Sequence, residues 1–367
     1  MKTVFQTSGA SRPGLNLSPE SDVLSPTSQV LPLCNHIGKP LVIFSMPILP
    51  VFHTIRTNGV NLRCVVEGEG PLVLLIHGWP ESWYSWRHQI GPVRDAGYRV
   101  VVPDVRGYGG SDAPRAVEAY DMESLIGDTL GLIDHFAEKQ AILVGHDWGA
   151  PIVWNTAALH PDRVGAVAAL SVPYSPRGKQ SSLELWTQIY AGRFFYQLYF
   201  QAPGVAEAEF EADIRTSLRK IYYAGCGNSP KGMFRPDKRP DERMLDDLPD
   251  PAAFPDWLTE HDIDYYVAQF QTSGFRGPLN RYRNQQRDWE RLTALTGARI
   301  TMPSCFIAGR RDGVLKFIPN FDMVENMKRW TDDLRICEII DGAGHWIQQE
   351  RPEKVTKLLL GFLATLR

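Results

Sequence analysis

A single carboxylate, Asp147, lies between glycines in the segment 145–149, which reads GHDWG. This segment begins at the last residue of the apolar run Ala141–Gly145. This is the frame of a nucleophile elbow, a sharp strand-to-helix turn that presents a reactive side chain above a sheet. Glycines suit such a turn because they lack a Cβ and permit a close approach of the backbone. The pattern predicts that Asp147 is a nucleophile; the alternative is that it only caps the following helix.

An aspartate in place of the usual serine changes which bond can be broken. A carboxylate that attacks a saturated carbon forms an ester, which water hydrolyses in a second step, whereas a serine would form an ether that resists hydrolysis. Asp147 therefore favours displacement at an sp³ carbon, either of an epoxide or of a carbon–halogen bond. It argues against esterase and peptidase chemistry.

Two residues nearer the C-terminus are candidate partners of this nucleophile, in the chain order acid and then histidine. His345 lies in the sequence GAGHW, between the apolar run Leu334–Ile340 and the last amphipathic segment. Asp312 comes shortly after the apolar run Ile300–Ala308. We therefore expect His345 to act as the base and Asp312 to orient it. Weaker candidates for the acid are Asp322 and Asp341.

Hydrolysis of an ester on Asp147 requires hydrogen-bond donors for the oxyanion that develops. One expected donor is the backbone N–H of Trp148, the residue after the nucleophile. The second is expected from the loop HGWP, which begins at the end of the first buried run, with the Trp79 N–H as the favoured group. The Trp79–Pro80 bond is a candidate for the cis form, because proline follows the tryptophan.

The elements that must position these residues alternate along the chain. Apolar runs of strand length are separated by amphipathic segments, and in the segment 120–139 the apolar residues fall on one helical face. Runs that are apolar throughout suit a mostly parallel central sheet flanked by helices, so the pattern predicts an α/β fold. The predicted strands are Leu72–His77, Arg99–Pro103, Ala141–Gly145, Val164–Ser171, Ile300–Ala308 and Leu334–Ile340.

Two segments of the chain depart from this alternation, one in its middle and one at its N-terminus. Residues 174–295 are rich in aromatic residues and helix-like, with few strand runs, which predicts a mainly helical cap inserted into a core of residues 46–173 and 296–367. Residues 1–45 are rich in Ser, Pro, Gly and Asn without periodicity. This composition predicts a disordered extension.

Bulk properties exclude several classes of protein. The 367 residues carry a net charge of −3, and nucleic-acid binders usually present a basic face instead. No apolar run reaches the roughly 18 residues of a membrane span, and the N-terminus does not read as a secretion signal. The five cysteines have no metal-ligand spacing, so we expect reduced thiols, a cytoplasmic location and no metal.

From about residue 52 to its C-terminus, the chain resembles the soluble epoxide hydrolases of the α/β-hydrolase fold. The segments HGWPESWYSWRHQI, GYGGSD, GHDWGA and GAGHW carry this resemblance, although HGxP and GHDWG are shared with haloalkane and fluoroacetate dehalogenases. Two cap segments are more specific, because 195–204 (FYQLYFQAPG) and 273–284 (SGFRGPLNRYRN) resemble the mammalian-type enzymes closely. The resemblance implies an enzyme that needs no cofactor.

The resemblance also implies that two cap tyrosines, Tyr196 and Tyr282, hold the epoxide oxygen. A phenol suits this role because the departing alkoxide is a poor leaving group and needs a proton or a strong hydrogen bond. Further substrate contacts are expected from Gln197, Trp148 and Trp346. By spacing alone, other tyrosines compete for the role, namely Tyr199, Tyr222, Tyr223, Tyr265 and Tyr266.

The resulting hypothesis is hydrolysis of a small apolar epoxide to a vicinal diol through an ester on Asp147, with water activated by His345 and Asp312. The first alternative is a haloalkane or haloacetate dehalogenase with the same three residues. The second is a hydrolase-like receptor that binds a ligand without turnover. The sequence leaves open the natural epoxide, the regio- and enantioselectivity, and the choice between monomer and homodimer.

Overall fold

The computed structural model describes residues 50–230, 234–235 and 237–367, so the predicted extension 1–45 lies outside the described residues. An eight-stranded sheet has the strand order β1-β2-β4-β3-β5-β6-β7-β8. Strand β2 is antiparallel to β1 and β4, and the remaining pairs are parallel, which confirms the predicted α/β class with a mostly parallel sheet. The strands are β1 Phe52–Thr57, β2 Val60–Glu67, β3 Leu72–Ile76, β4 Arg99–Pro103, β5 Ala141–His146, β6 Val164–Leu170, β7 Ile300–Gly309 and β8 Thr331–Ile340.

Helices follow most of these strands. Those that belong to the sheet-forming part of the chain are α1 Arg87–Asp95, α2 Met122–His135 and α3 Gly149–Leu159, and, after β7, α11 Met323–Lys328, α12 Ile347–Glu350 and α13 Pro352–Ala364. Between β6 and β7 lie α4 Ser182–Ile189, α5 Tyr196–Tyr199, α6 Val205–Ala212, α7 Ile214–Gly225, α8 Glu260–Ser273, α9 Arg276–Arg283 and α10 Gln285–Arg291.

Both faces of the sheet are covered, which explains why the central strands are apolar throughout. Along β3, Leu72 and Leu74 pack with residues of α2 and α3, whereas Val73 and Leu75 pack with residues of α1 and α13. Successive side chains of a strand point to opposite faces, so a strand between two helical layers must be apolar at every position.

The first two strands are absent from the prediction, and their burial explains why. Alternate residues of β1 and β2 are exposed or only partly buried, so neither strand is a continuous apolar run. The available signal is the turn Asn58-Gly59, in which both residues have positive φ, 44° and 80°. Asn-Gly between two alternating segments is the sequence typical of a two-residue β-hairpin.

Helices and loops make up the described residues between β6 and β7, which contain no strand. Most of their buried apolar side chains form a separate cluster that also includes Trp79 and Trp346, whereas Tyr174, Leu292 and Leu295 pack in the core beside the sheet. The boundaries at 173/174 and 295/296 stay a prediction. Within the described residues, no helix is both long and apolar enough to span a membrane.

Candidate active site

Asp147 occupies the turn between β5 and α3 with a φ of 50°, in the left-handed region that few side chains adopt. The neighbouring glycines are required by close backbone contacts. A Cβ on Gly149 would meet the carbonyl group of Ile76, and a Cβ on Gly78 would meet the Asp147 side chain itself. The turn therefore raises the carboxylate above the carboxyl edge of the sheet, as expected for a nucleophile elbow.

Three side chains that follow parallel strands of the sheet meet at this edge. Asp147 follows β5, Asp312 follows β7 and His345 lies in the loop after β8. His345 Nε2 lies 3.2 Å from Asp147 Oδ2, and His345 Nδ1 lies 2.9 Å from Asp312 Oδ2. Asp312 Oδ1 accepts a hydrogen bond from the Val314 N–H at 2.9 Å, which fixes the orientation of this carboxylate.

The alternative acids lie elsewhere. Asp322 caps α11 by accepting hydrogen bonds from the Val324 and Glu325 N–H groups. Asp341 is exposed and pairs with Arg310. Of the three carboxylates considered from the sequence, Asp312 is therefore the one that contacts His345.

The charges of this group stabilise one another. Burial lowers the pKa of His345, but the charge of Asp312 and the hydrogen bonds to both carboxylates raise it, and the net pKa lies well above the ordinary value. Burial raises the pKa of Asp147, whereas the hydrogen bond and charge of His345 lower it, with a net decrease. The resting site thus contains an ionised Asp147 beside the imidazolium of His345.

The loop after β3 supplies a backbone donor to the Asp147 carboxylate. The Trp79 N–H donates to Asp147 Oδ1 at 2.7 Å, and the Trp79–Pro80 bond is cis. Among the described residues, no hydrogen bond joins the Trp148 N–H to this carboxylate, so its predicted role as a second donor stays a prediction. One oxygen of Asp147 is held by the backbone, and the other faces His345.

A cavity of about 450 Å³ contains the carboxylate, and both predicted tyrosines reach it. Tyr196 comes from α5 and Tyr282 from α9, with ring centroids 5.9 Å apart in an edge-to-face arrangement. A third cavity tyrosine, Tyr190, donates its hydroxyl to the Phe317 carbonyl group at 3.0 Å. The competing tyrosines Tyr199, Tyr222, Tyr223, Tyr265 and Tyr266 do not line the cavity.

The other predicted substrate contacts are placed differently. Trp346 lines the cavity and is anchored by its Nε1–H, which donates to the Tyr222 carbonyl group at 2.7 Å. Trp148 does not line it; its ring packs edge-to-face on Tyr282, with centroids 5.1 Å apart. Gln197 does not line it either, because its amide lies behind the Tyr196 hydroxyl. Direct contact of Trp148 or Gln197 with substrate stays a prediction.

A buried polar network under the site is missing from the sequence-based interpretation. His146 Nε2 lies 2.8 Å from the His345 carbonyl oxygen, and His146 Nδ1 lies 2.8 Å from Glu81 Oε2. Gly78, Gln348 and Gln349 donate further hydrogen bonds to Glu81.

The loop that carries His345 is fixed from a second side. Glu350 accepts hydrogen bonds from the N–H groups of Gly344 and Trp346, which flank His345, and from Gly227. The His345 carbonyl group also accepts from the Ser171 hydroxyl at 2.8 Å. Hydrogen bonds thus hold both the carbonyl group of His345 and the N–H groups of its neighbours. The backbone that carries the imidazole is therefore fixed.

Comparison with known proteins identifies the family of this chain. The family model of the α/β hydrolase fold matches residues 71–352. Epoxide hydrolase A of Mycobacterium tuberculosis is 46% identical over 323 residues, which cover 86% of this chain and 98% of that protein. The chain belongs to the epoxide hydrolases of the α/β-hydrolase fold.

Solved structures place it among epoxide hydrolases as well. An epoxide hydrolase from an endophytic Streptomyces superposes with a TM-score of 0.82 at 44% identity, over 86% of this chain and 96% of that one. The bifunctional epoxide hydrolase 2 of Rattus norvegicus is 38% identical over 309 residues, but the match covers only 54% of that protein. The present epoxide hydrolase therefore corresponds to about half of the rat protein.

Proposed function

We propose that this epoxide hydrolase converts an apolar epoxide to a vicinal diol through a covalent ester on Asp147. The observation that carries the proposal is that the two oxygens of this carboxylate have different partners. Its Oδ1 is held by the Trp79 N–H at 2.7 Å, and its Oδ2 lies beside His345 at the cavity. In the first step Oδ2 attacks an epoxide carbon, the C–O bond of the ring breaks, and the epoxide oxygen takes the electron pair.

Tyr196 and Tyr282 supply the hydrogen bonds and the proton that this oxygen needs. Burial, followed by the charge of Asp147, raises the pKa of Tyr196, and the pKa of Tyr282 is raised in the same direction by burial, Tyr196 and Asp147. Both phenols therefore stay protonated and act as donors. A halide would need no proton, so a pair of phenols favours the epoxide over the dehalogenase alternative.

The second step uses a change in charge that the first step causes. Once Asp147 is an ester, it no longer carries the negative charge that helps to raise the pKa of His345. The pKa of His345 then falls, and the neutral imidazole, oriented by Asp312, removes a proton from water that attacks the ester carbon. The oxyanion develops on Oδ1, which already has the Trp79 N–H as its donor. Its collapse breaks the bond between the ester carbon and Oδ2, and the departing diol oxygen takes the proton that His345 removed from water.

The walls of the cavity indicate the class of substrate. A volume of about 450 Å³ suits a small organic molecule. Aromatic and aliphatic side chains cover much of the wall, including Phe194, Phe195, Ile221, Phe234, Met244 and Phe317. We propose an epoxide with aryl or alkyl substituents, for which trans-stilbene oxide is a suitable probe.

A single-turnover experiment with isotopic water tests the covalent step. With enzyme in excess over trans-stilbene oxide in ¹⁸O-water, the first diol should be largely unlabelled, because its new oxygen comes from Asp147. Mass spectrometry of the diol measures this, and a multiple-turnover sample is the control, since it should contain label. A fully labelled diol in the first turnover would exclude the ester.

The two steps should differ in their dependence on pH. Attack needs ionised Asp147, whose pKa lies below its ordinary value, so this step should persist in mild acid. Ester hydrolysis needs neutral His345, so it should slow as the pH falls through the pKa of His345 in the ester. We therefore expect the ester to accumulate at about pH 5 and to be scarce at about pH 8. Acid quench and intact-mass measurement would show it; an ester fraction that rises with pH would contradict the role of His345.

A further inference from the structure

The side-chain amide of Gln197 lies between an indole and the Tyr196 hydroxyl. Trp186 Nε1–H donates to Gln197 Oε1 at 3.0 Å, and Gln197 Nε2 donates to the Tyr196 hydroxyl oxygen at 3.0 Å. An indole N–H can only donate, so it selects the oxygen of the amide. The NH₂ group of Gln197 is thereby directed at Tyr196.

This arrangement determines what the Tyr196 hydroxyl can do. The NH₂ group can only donate, so the phenol oxygen is the acceptor in this contact, and its own proton is not used. No acceptor for that proton is present among the described residues, and Tyr196 lines the cavity that contains Asp147. The proton is thus available to a group bound in the cavity.

We propose that Gln197, oriented by Trp186, is a positioning residue that reserves the Tyr196 proton for the epoxide oxygen. The inference rests on the proposed function, in which Tyr196 is a donor to that oxygen. It differs from the role expected from the sequence, because Gln197 would act through Tyr196 and not by touching the substrate.

The hydrogen bond from Gln197 to the Tyr196 oxygen should be strongest when the epoxide ring opens. As the phenol gives up its proton, negative charge grows on its oxygen, and a hydrogen bond donated to a charged oxygen is stronger than one donated to a neutral oxygen. Burial raises the pKa of Tyr196, and the Gln197 hydrogen bond acts in the opposite direction. Gln197 should therefore affect the rate of alkylation more than the binding of the epoxide.

Replacement of Gln197 by Met tests the inference, because Met keeps the length of the side chain and removes the donor. We expect Gln197→Met to lower the maximal alkylation rate by about tenfold, with the half-saturating concentration of trans-stilbene oxide nearly unchanged. Rapid-quench kinetics with intact-mass detection measures both quantities. Gln188→Met is the matched control, because Gln188 is exposed on α4, and its alkylation rate should equal that of the wild type.

A second variant acts on the orientation of the amide. Trp186→Phe keeps a ring in the cluster and removes the N–H that selects the amide oxygen. We expect a smaller loss, of about threefold, because the amide can then rotate and donates to Tyr196 only part of the time. This variant also serves if Gln197→Met proves poorly folded by its melting temperature.

A double-mutant cycle distinguishes action through Tyr196 from a general disturbance. In a Tyr196→Phe background, Gln197→Met should cause no further loss of alkylation rate, whereas in a Tyr282→Phe background the loss of about tenfold should remain. An equal loss in both backgrounds, or a loss mainly in half-saturation, would overturn the inference. If Tyr196→Phe itself alkylates normally, the proposed role of Tyr196 fails first and this inference fails with it.

Discussion

Replacement of His345 by Gln should stop the enzyme after its first chemical step. The Trp79 N–H still donates to Asp147 in this variant and keeps lowering the pKa of the carboxylate, although the charge of His345 is lost, so we expect its attack on the epoxide to continue. Hydrolysis of the ester loses its base and should slow by about 10²- to 10⁴-fold. Intact-mass analysis after mixing with trans-stilbene oxide should show protein plus one epoxide as the main species, while diol formation nearly ceases.

Two controls make this result specific. His88→Gln changes an exposed histidine and should turn over as the wild type does, without accumulation of an adduct. Asp147→Ala should form no adduct at all, because the attacking oxygen is gone. If His345→Gln leaves the epoxide untouched and shows no adduct, the assignment of His345 to the second step is wrong.

The double variant Tyr196→Phe/Tyr282→Phe should be almost unable to open the epoxide. Each single change removes one donor to the forming alkoxide and should lower the alkylation rate by about 10- to 100-fold. One phenol partly covers for the other, so the single variants should retain activity, whereas the double variant leaves the oxygen without a donor. Pre-steady-state measurement of ester formation gives the three rates.

The fold of the double variant should be preserved, because only two hydroxyl groups are removed, and its melting temperature should be close to that of the wild type. A matched control is Tyr199→Phe, since the Tyr199 hydroxyl donates to Glu209 and does not line the cavity. Its alkylation rate should stay near the wild-type value. A double variant that alkylates at a near wild-type rate would show that other groups activate the oxygen, and would favour the dehalogenase alternative again.

Features carried by neighbouring residues could be predicted from the sequence. The elbow around Asp147 depends on glycines within two positions of it, and the parallel strands appear as apolar runs because both of their faces are buried. Asp312 and His345 were found because each comes shortly after such a run, and the carboxyl ends of parallel strands share one edge of the sheet.

Features carried by distant residues could not be predicted in this way. Glu81 reaches His146 across 65 positions, and Gln348 reaches Glu81 across 267 positions. No local pattern marks such partners, since each is an ordinary polar residue until the fold brings it to the site. Gln197 shows the same limit at short range. From the sequence we expect Gln197 to contact the substrate, but the direction of its amide depends on Trp186, one helix away.

Because the Trp79 N–H holds Oδ1, the two oxygens of Asp147 have different fates in the proposed mechanism. Oδ2 leaves with each diol, and an atom from solvent replaces it, whereas Oδ1 stays bonded to the same carbon as long as the backbone prevents rotation of the carboxylate. One oxygen of the carboxylate is thus consumed in each cycle and replaced from water, and the other oxygen stays in the protein. After many cycles in heavy-oxygen water, the enzyme should therefore have exchanged one atom of this side chain and kept the other.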